Sequence, residues 1–108
     1  MGNLSDTLKS IDGASEIFFC GYDGIVIEKF SVLKSANDGE LFAANCATAF
    51  NKMKIEDNRF KEMICVFEKN VVVAKWMEDG FIGVIMGLDG NIGRAKLELN
   101  RYGSVFYK

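Results

Sequence analysis

The chain has no histidine, and that one absence removes a good deal of chemistry. Ser-His-Asp and Cys-His catalysis, histidine metal sites and the usual general base near neutral pH all need the imidazole. Proline is absent too. Turns therefore fall to Gly, Asn and Asp, and no strand interior is missing a ladder donor. Cysteine is scarce and odd in number, with three residues, Cys20, Cys46 and Cys65. They show no C-x-x-C spacing, and each lies in an apolar stretch without a neighbouring base in sequence. They read as buried reduced thiols of a cytoplasmic protein, not as a catalytic thiolate. No apolar run approaches the ~20 residues of a membrane span, and the N-terminus lacks the basic-then-apolar layout of a secretion signal. The formal net charge of −2 gives neither nucleic acid nor an anionic membrane a natural counter-surface.

What is present is core material. Of 108 residues, 49% are hydrophobic and 26% charged, the balance of one globular domain over residues 1–108. The organising stretch is Asn37–Met53, which reads as the one long helix in a β-rich sequence. Asn37 is a good N-cap, Glu40 stands where a capping box needs it, and Asp38 and Glu40 complement the helix dipole. At ~100° per residue, Phe42, Cys46, Ala49 and Met53 fall on one line, with Ala43, Ala47 and Phe50 beside them. That arc is wide enough to cover a sheet. Leu41, Ala44, Thr48 and Lys52 form a second stripe of small, weakly polar residues. It has two readings, a thin solvated face or a surface that another helix approaches closely.

The rest of the chain falls into short elements. Leu4, Leu8 and Ile11 are spaced as a short helix, with Gly13 able to end it. Glu16–Tyr22 is the first strand, Asp23-Gly24 a type I′ hairpin signal, and Ile25 to about Phe30 or Val32 the second strand. Lys54–Asn58 is polar and should end the long helix. Phe60–Glu68, Val71–Met77 and Phe81–Leu88 are three further strands joined at Lys69-Asn70 and Asp79-Gly80. Asn91 caps a last helix with Ile92, Ala95, Leu99 and Tyr102 near one face, fraying or ending at Gly103. All strand links are short, so the sheet is antiparallel. Strands three and five lack clean alternation, which predicts cover on both sheet faces. The expected fold is α+β: a five-stranded antiparallel sheet with the long helix on one face and both terminal helices on the other.

Few motifs carry chemistry. Gly87–Gly93 (GLDGNIG) lies between a strand and a helix, where anions bind. It lacks both the Gly-Lys-Ser/Thr of a P-loop and the G-x-G-x-x-G spacing, so it reads as a turn plus cap. Asn51-Lys52-Met53-Lys54 lacks the aspartate of the GTPase base-specificity tetrapeptide. Glu56, Asp57 and Glu62 read as a solvated loop, and no metal or other cofactor is expected. Lys75 is a strand-end surface residue, or else an edge charge that meets a partner. Trp76 reads as core.

Three segments together, Gly-Tyr-Asp-Gly-Ile-Val-Ile-Glu (21–28), Glu-Leu-Phe-Ala-Ala (40–44) and Gly-Asn-Ile-Gly-Arg-Ala-Lys-Leu-Glu-Leu (90–99), resemble the Roadblock/dynein light chain family. The likeness covers about residues 4–102 and is greatest to prokaryotic stand-alone members of the kind that partner the bacterial gliding-motility GTPase. It rests on the joint order of the segments. The resemblance implies a homodimer or heterodimer in which the central helices pair and the third strands join into one sheet. That interface would use Leu41, Ala44, Asn45, Thr48 and Lys52 of the helix with Met63, Ile64, Cys65, Val66 and Phe67 of the strand. It also implies regulation or scaffolding of Ras-like small GTPases, for which Lys52, Lys54, Glu56, Asp57 and Arg59 form a candidate contact at the end of the helix. Arg94 is expected to pack or to sit at the surface, not to act as an arginine finger. The competing expectations are a sensory or small-ligand-binding module, or a scaffold subunit of a motor or signalling complex. An enzyme is the weakest fit.

Overall fold

The computed structural model describes residues 4–31, 39–56 and 61–106. Its elements are α1 (Leu4–Lys9), β1 (Ala14–Cys20), β2 (Val26–Ser31), α2 (Gly39–Glu56), β3 (Glu62–Val66), β4 (Asn70–Trp76), β5 (Phe81–Gly87) and α3 (Ile92–Phe106). The strands form one antiparallel sheet in the order β2-β1-β5-β4-β3. The α+β class, the order of elements and the sheet are those expected from the sequence. Among the described residues no helix is long and apolar enough to cross a membrane.

Alternation along the central strands divides the core into two layers, because successive side chains point to opposite faces. Ile17, Ile82, Val84, Met86, Val71 and Val73 pack with Leu4 and Leu8 of α1 and Ala95 and Leu99 of α3. Phe18, Cys20, Phe81, Ile85, Val72 and Ala74 pack with Ala43, Cys46, Ala47 and Phe50 of α2. The first layer uses the alternate residues of strands whose other residues build the second. This is why β5 reads as a continuous apolar run: six of its seven residues are buried.

The turns differ from the sequence signal. A type I′ hairpin needs positive φ at both central residues, but among the described residues only Gly13 and Gly24 have it, at 84° and 87°. The β1–β2 link is therefore a turn over Gly21–Gly24 with Gly24 in the left-handed region. It is closed by the bonds Gly24 N to Gly21 O and Gly21 N to Ile25 O, both 3.0 Å, and the Asp23 carboxylate accepts from Ile25 N at 3.0 Å. The other two hairpins turn one residue earlier than expected. Met77 N donates to Gly80 O at 2.7 Å and Phe67 N to Asn70 O at 2.8 Å, so the loop residues are Glu78-Asp79 and Glu68-Lys69.

Other boundaries move as well. The α2 helix runs three residues beyond Met53 and ends at Glu56, inside the polar stretch expected to end it, because polar residues such as Lys and Glu are good helix formers. Its expected cap, Asn37, and Asp38 lie outside the described residues. Met53, placed by periodicity on the buried line, is 42% exposed. The buried line is Ala43, Cys46, Ala47 and Phe50, since α2 is rolled slightly on the sheet. The α3 helix runs through Gly103 to Phe106, as one internal glycine costs a helix only about 1 kcal/mol. Its start is as expected, with the Asn91 Oδ1 accepting from Arg94 N at 2.9 Å.

Candidate partner surface at the free edge and central helix

Among the described residues β3 ends the sheet and pairs only with β4. Its register assigns each backbone group a direction. Phe67 N bonds Asn70 O, and Trp76 N bonds Lys61 O at 2.7 Å. Hydrogen-bonded pairs alternate in an antiparallel ladder, so Cys65 and Met63 also face β4. The N–H and C=O groups of Glu62, Ile64 and Val66 then point away from the sheet. The expectation that both faces of this strand are covered fails here. Met63, Cys65 and Phe67 pack towards α2, but Ile64 is 45% and Val66 72% exposed on the opposite face. α3 crosses β4 and does not reach far enough to cover them.

The two edges of the sheet are unlike. β2 carries Glu28 and Lys29 at its centre, whereas β3 reads Glu-Met-Ile-Cys-Val, with its single charge at the start. Charged centres, lysine above all, are the usual protection of an edge strand. β3 lacks that protection.

Beside it lies the outward face of α2. Ala44, Asn45, Thr48, Asn51, Lys52 and Met53 are all exposed, so of the two readings of the stripe it is at least uncovered in the single chain. Its polar groups are partly turned inward. The Thr48 hydroxyl donates to Ala44 O at 3.2 Å, and the Asn51 amide donates to Tyr22 O at 2.8 Å. Lys52 is the one charge in the set. The Lys54 ammonium lies 4.4 Å from the centroid of the Trp76 ring, a contact that favours a cation over an aromatic face, and Trp76 in turn stacks on Tyr22 at 6.4 Å. Of the remaining candidate contact residues, Glu56 is the last residue of α2, and Asp57 and Arg59 lie outside the described residues, as do the side chains of Leu41 and Glu56.

Lys75 is the last residue but one of β4, near a strand end as expected and not on an edge of the sheet. It stands in β4 opposite Glu62 and Ile82, and its ammonium donates to the Asn100 side chain. Arg94 packs, as expected: its Nε donates to Ser10 O at 3.2 Å, tying α3 to the end of α1, and its guanidinium pairs with Glu98 at 3.0 Å. Glu98 also accepts from Arg101 at 3.1 Å. Sequence reasoning missed this buried carboxylate. The signal for it was the i, i+4 and i, i+3 spacing of Arg94, Glu98 and Arg101.

Under α2, at the free edge, two cysteines meet. The Cys46 thiol donates to Cys65 Sγ at 3.7 Å. That hydrogen bond stabilises the Cys65 thiolate and brings its pKa down to about 7, against the opposing effect of burial. The Cys46 thiol is pushed up, first because it is the donor to Cys65 and then by burial. Burial and the nearby Asp23 raise Cys20 to about 11, and burial raises the Tyr22 hydroxyl, which donates to Met77 O at 2.7 Å. Alkylation by iodoacetamide, followed site by site by mass spectrometry, should therefore reach half its maximal rate near pH 7 at Cys65 and only near pH 11 at Cys20. A Cys65 that reacts as an ordinary thiol, with a midpoint near 9.0, would show that the contact is not kept in solution.

A five-stranded antiparallel sheet with one long helix on one face and the terminal helices on the other is the arrangement of the Roadblock/LC7 fold. The chain superposes on a Roadblock/LC7 domain from Streptomyces avermitilis with a TM-score of 0.75, covering 94% of this chain and 89% of that one at 9% identity. It is similar in the same way to MglC from Myxococcus xanthus (TM-score 0.72, 23% identity, 94% and 91% covered). The gliding protein MglB from Thermus thermophilus is a third neighbour (TM-score 0.75, 17% identity, 91% and 78% covered). At these identities the likeness is one of fold. No protein-family model matches the sequence, and no curated protein does so.

Proposed function

We propose that the chain is a non-catalytic adaptor that dimerises through β3 and α2 and binds a Ras-like small GTPase in the cytoplasm, modulating its nucleotide state or location. The observation that carries the first half is the free edge of β3, uncharged after Glu62, beside an outward helix face with one charge. Two copies meeting antiparallel at β3 would pair the backbone groups of Glu62, Ile64 and Val66, cover Ile64 and Val66, and bring Ala44, Asn45 and Thr48 of the two helices together. The partner copy is this same chain or another of the same fold. The second half rests on the resemblance of residues 21–28, 40–44 and 90–99 to the family that regulates such GTPases, and on the shared fold with the gliding protein MglB. Among the described residues there is a cleft of ≈ 220 Å³ lined by Glu62, Met63, Ile64, Val73 and Lys96. It is smaller than the ~300–1,000 Å³ usual for a ligand site, and its two charges already pair at 3.7 Å, so the sensory reading draws little from it.

The GTPase contact is assigned to Lys52 and Lys54 at the C-terminal end of α2 and to Glu56, Asp57 and Arg59 that follow in the sequence, a polar set of the kind that rims an interface. Lys52 is exposed and is the cleaner probe. Reversal of Lys54 would also break its contact with Trp76. Calorimetric titration of the purified protein against the Ras-like small GTPases of the same cell, each loaded with GTP or GDP, should give a dissociation constant below ~100 μM in one state and weaker binding in the other, since a partner shifts a switch only by differential affinity. Lys52→Glu should weaken binding and slow association at low salt, with the difference fading as ionic strength rises. Absence of binding in both nucleotide states would overturn the assignment.

A further inference from the structure

We infer that Cys46 and Cys65 form a reversible disulfide that fastens the central helix to the free edge strand. Cys65 belongs to the strand that the adaptor reading places at the dimer contact, but the disulfide does not depend on that reading. The two sulfurs are already in contact at 3.7 Å, so closing the bond asks for a side-chain adjustment and not a rearrangement of the chain. The residues come from different elements, 19 apart in sequence, and the fold has already met the entropy of bringing them together. An intramolecular thiol so placed acts at a high effective concentration. The two differ in access in the way such a pair requires. Cys65 is half-buried at the open edge, whereas Cys46 is fully buried beneath the helix. Cys65 is thus the sulfur that an external reagent meets first, and its lowered pKa supplies the thiolate. Cys20 stands apart from this contact, its thiol donating to Gly21 O at 3.3 Å.

The oxidant is a low-molecular-weight disulfide such as oxidised glutathione. The Cys65 thiolate attacks one sulfur of that disulfide, the reagent's S–S bond breaks, and one small thiolate leaves. Cys46 then gives up its proton and attacks Cys65 Sγ, forming the internal bond and expelling the second small thiolate, and the two released thiolates take up the protons lost by the protein. Two protein thiols are oxidised and one small disulfide is reduced. Oxidation would pin β3 through its α2-facing side and leave the outward backbone groups of Glu62, Ile64 and Val66 free.

The test equilibrates the purified full chain in glutathione buffers from reducing to oxidising, with acid quenching and mass analysis. Oxidation should lower the titratable thiols from three to one, remove the mass of two hydrogens, and yield a peptide joining residues 46 and 65. Cys20→Ala should leave this unchanged. Cys46→Ala should stop at a glutathione adduct on Cys65, and Cys65→Ser should abolish the reaction. Amide exchange across β3 should slow by about 10-fold on oxidation. Three thiols persisting at every ratio would overturn the inference. So would a bond to Cys20, a bond between chains, or a wild-type protein that accumulates the glutathione adduct without resolving it.

Discussion

Phe50→Ala should lower the stability of the fold by about 3–5 kcal/mol, the range for removing a buried aromatic side chain. The Phe50 side chain is fully buried and lies 4.9 Å, centroid to centroid, from Phe81. Phe81 meets Phe18 edge-on at 6.0 Å, and the Phe18 ring lies against Gly83 so closely that no side chain fits there. The three rings fill the space between α2 and the sheet, and none can move into the void without opening another. A domain of this size has only about 5–15 kcal/mol to lose, so urea denaturation should show a midpoint far below that of the wild type. Thermal unfolding should fall by roughly 15 °C or more. Met53→Ala, three residues further along the same helix but 42% exposed, should change stability by no more than about 0.5 kcal/mol. A Phe50→Ala protein within ~1 kcal/mol of wild type would mean that α2 does not seat on the sheet as described.

Ile64→Pro should abolish the proposed dimer while leaving the monomer folded. Proline lacks the N–H and is tolerated on an edge strand whose N–H faces outward. The N–H of Ile64 points away from β4, so the β3–β4 ladder keeps all its bonds. The same N–H is a donor to the partner strand in the proposed pairing, and removing it leaves a buried acceptor unsatisfied at about 1–3 kcal/mol. Two-fold symmetry applies that loss twice. The dimer dissociation constant should rise by roughly 100-fold or more, the equivalent of ~2.8 kcal/mol. Sedimentation of the two proteins across the micromolar range, with circular dichroism to check the fold, gives the answer. A wild type that sediments as a monomer, or an Ile64→Pro protein that remains a dimer, would remove β3 from the interface. Thr48→Arg tests the helix side of the same contact, since it buries an unpaired charge where the helices should meet.

How much of this was legible in the sequence depended on whether the signal was local. The helices and strands were readable because their apolar periods differ, as in Val71–Trp76 against Ile92–Leu99. The turns were placed to within a residue, but their geometry was not. Asp23-Gly24 and Asp79-Gly80 mark loops reliably, yet whether the aspartate takes a positive φ is decided by the twist of the strands on either side. The coverage of β3 was misread because Met63–Phe67 is apolar throughout, and a bare edge and a doubly covered strand look alike in one sequence. Only the position of the strand in the sheet separates them. The Cys46–Cys65 contact and the burial of Glu98 between two arginines depend on packing between elements or along one helix face, and composition carries no trace of the first. The stripe Leu41, Ala44, Thr48 and Lys52 was visible as an oddity from periodicity, and the fold places Ala44, Thr48 and Lys52 in the open.

The unequal edges of the sheet also limit how far such molecules can assemble. A sheet with two welcoming edges can add copies head to tail without end, in the manner of a fibre. Here β2 presents Glu28 and Lys29 where β3 presents Met63, Ile64 and Cys65, so a β3-to-β2 contact sets buried backbone against charge. The contact left is β3 against its own copy, which uses up the one permissive edge among the described residues and closes on itself. Placing uncharged residues at Glu28 and Lys29 would therefore threaten solubility more than stability, opening a route to polymers that the natural sequence keeps shut.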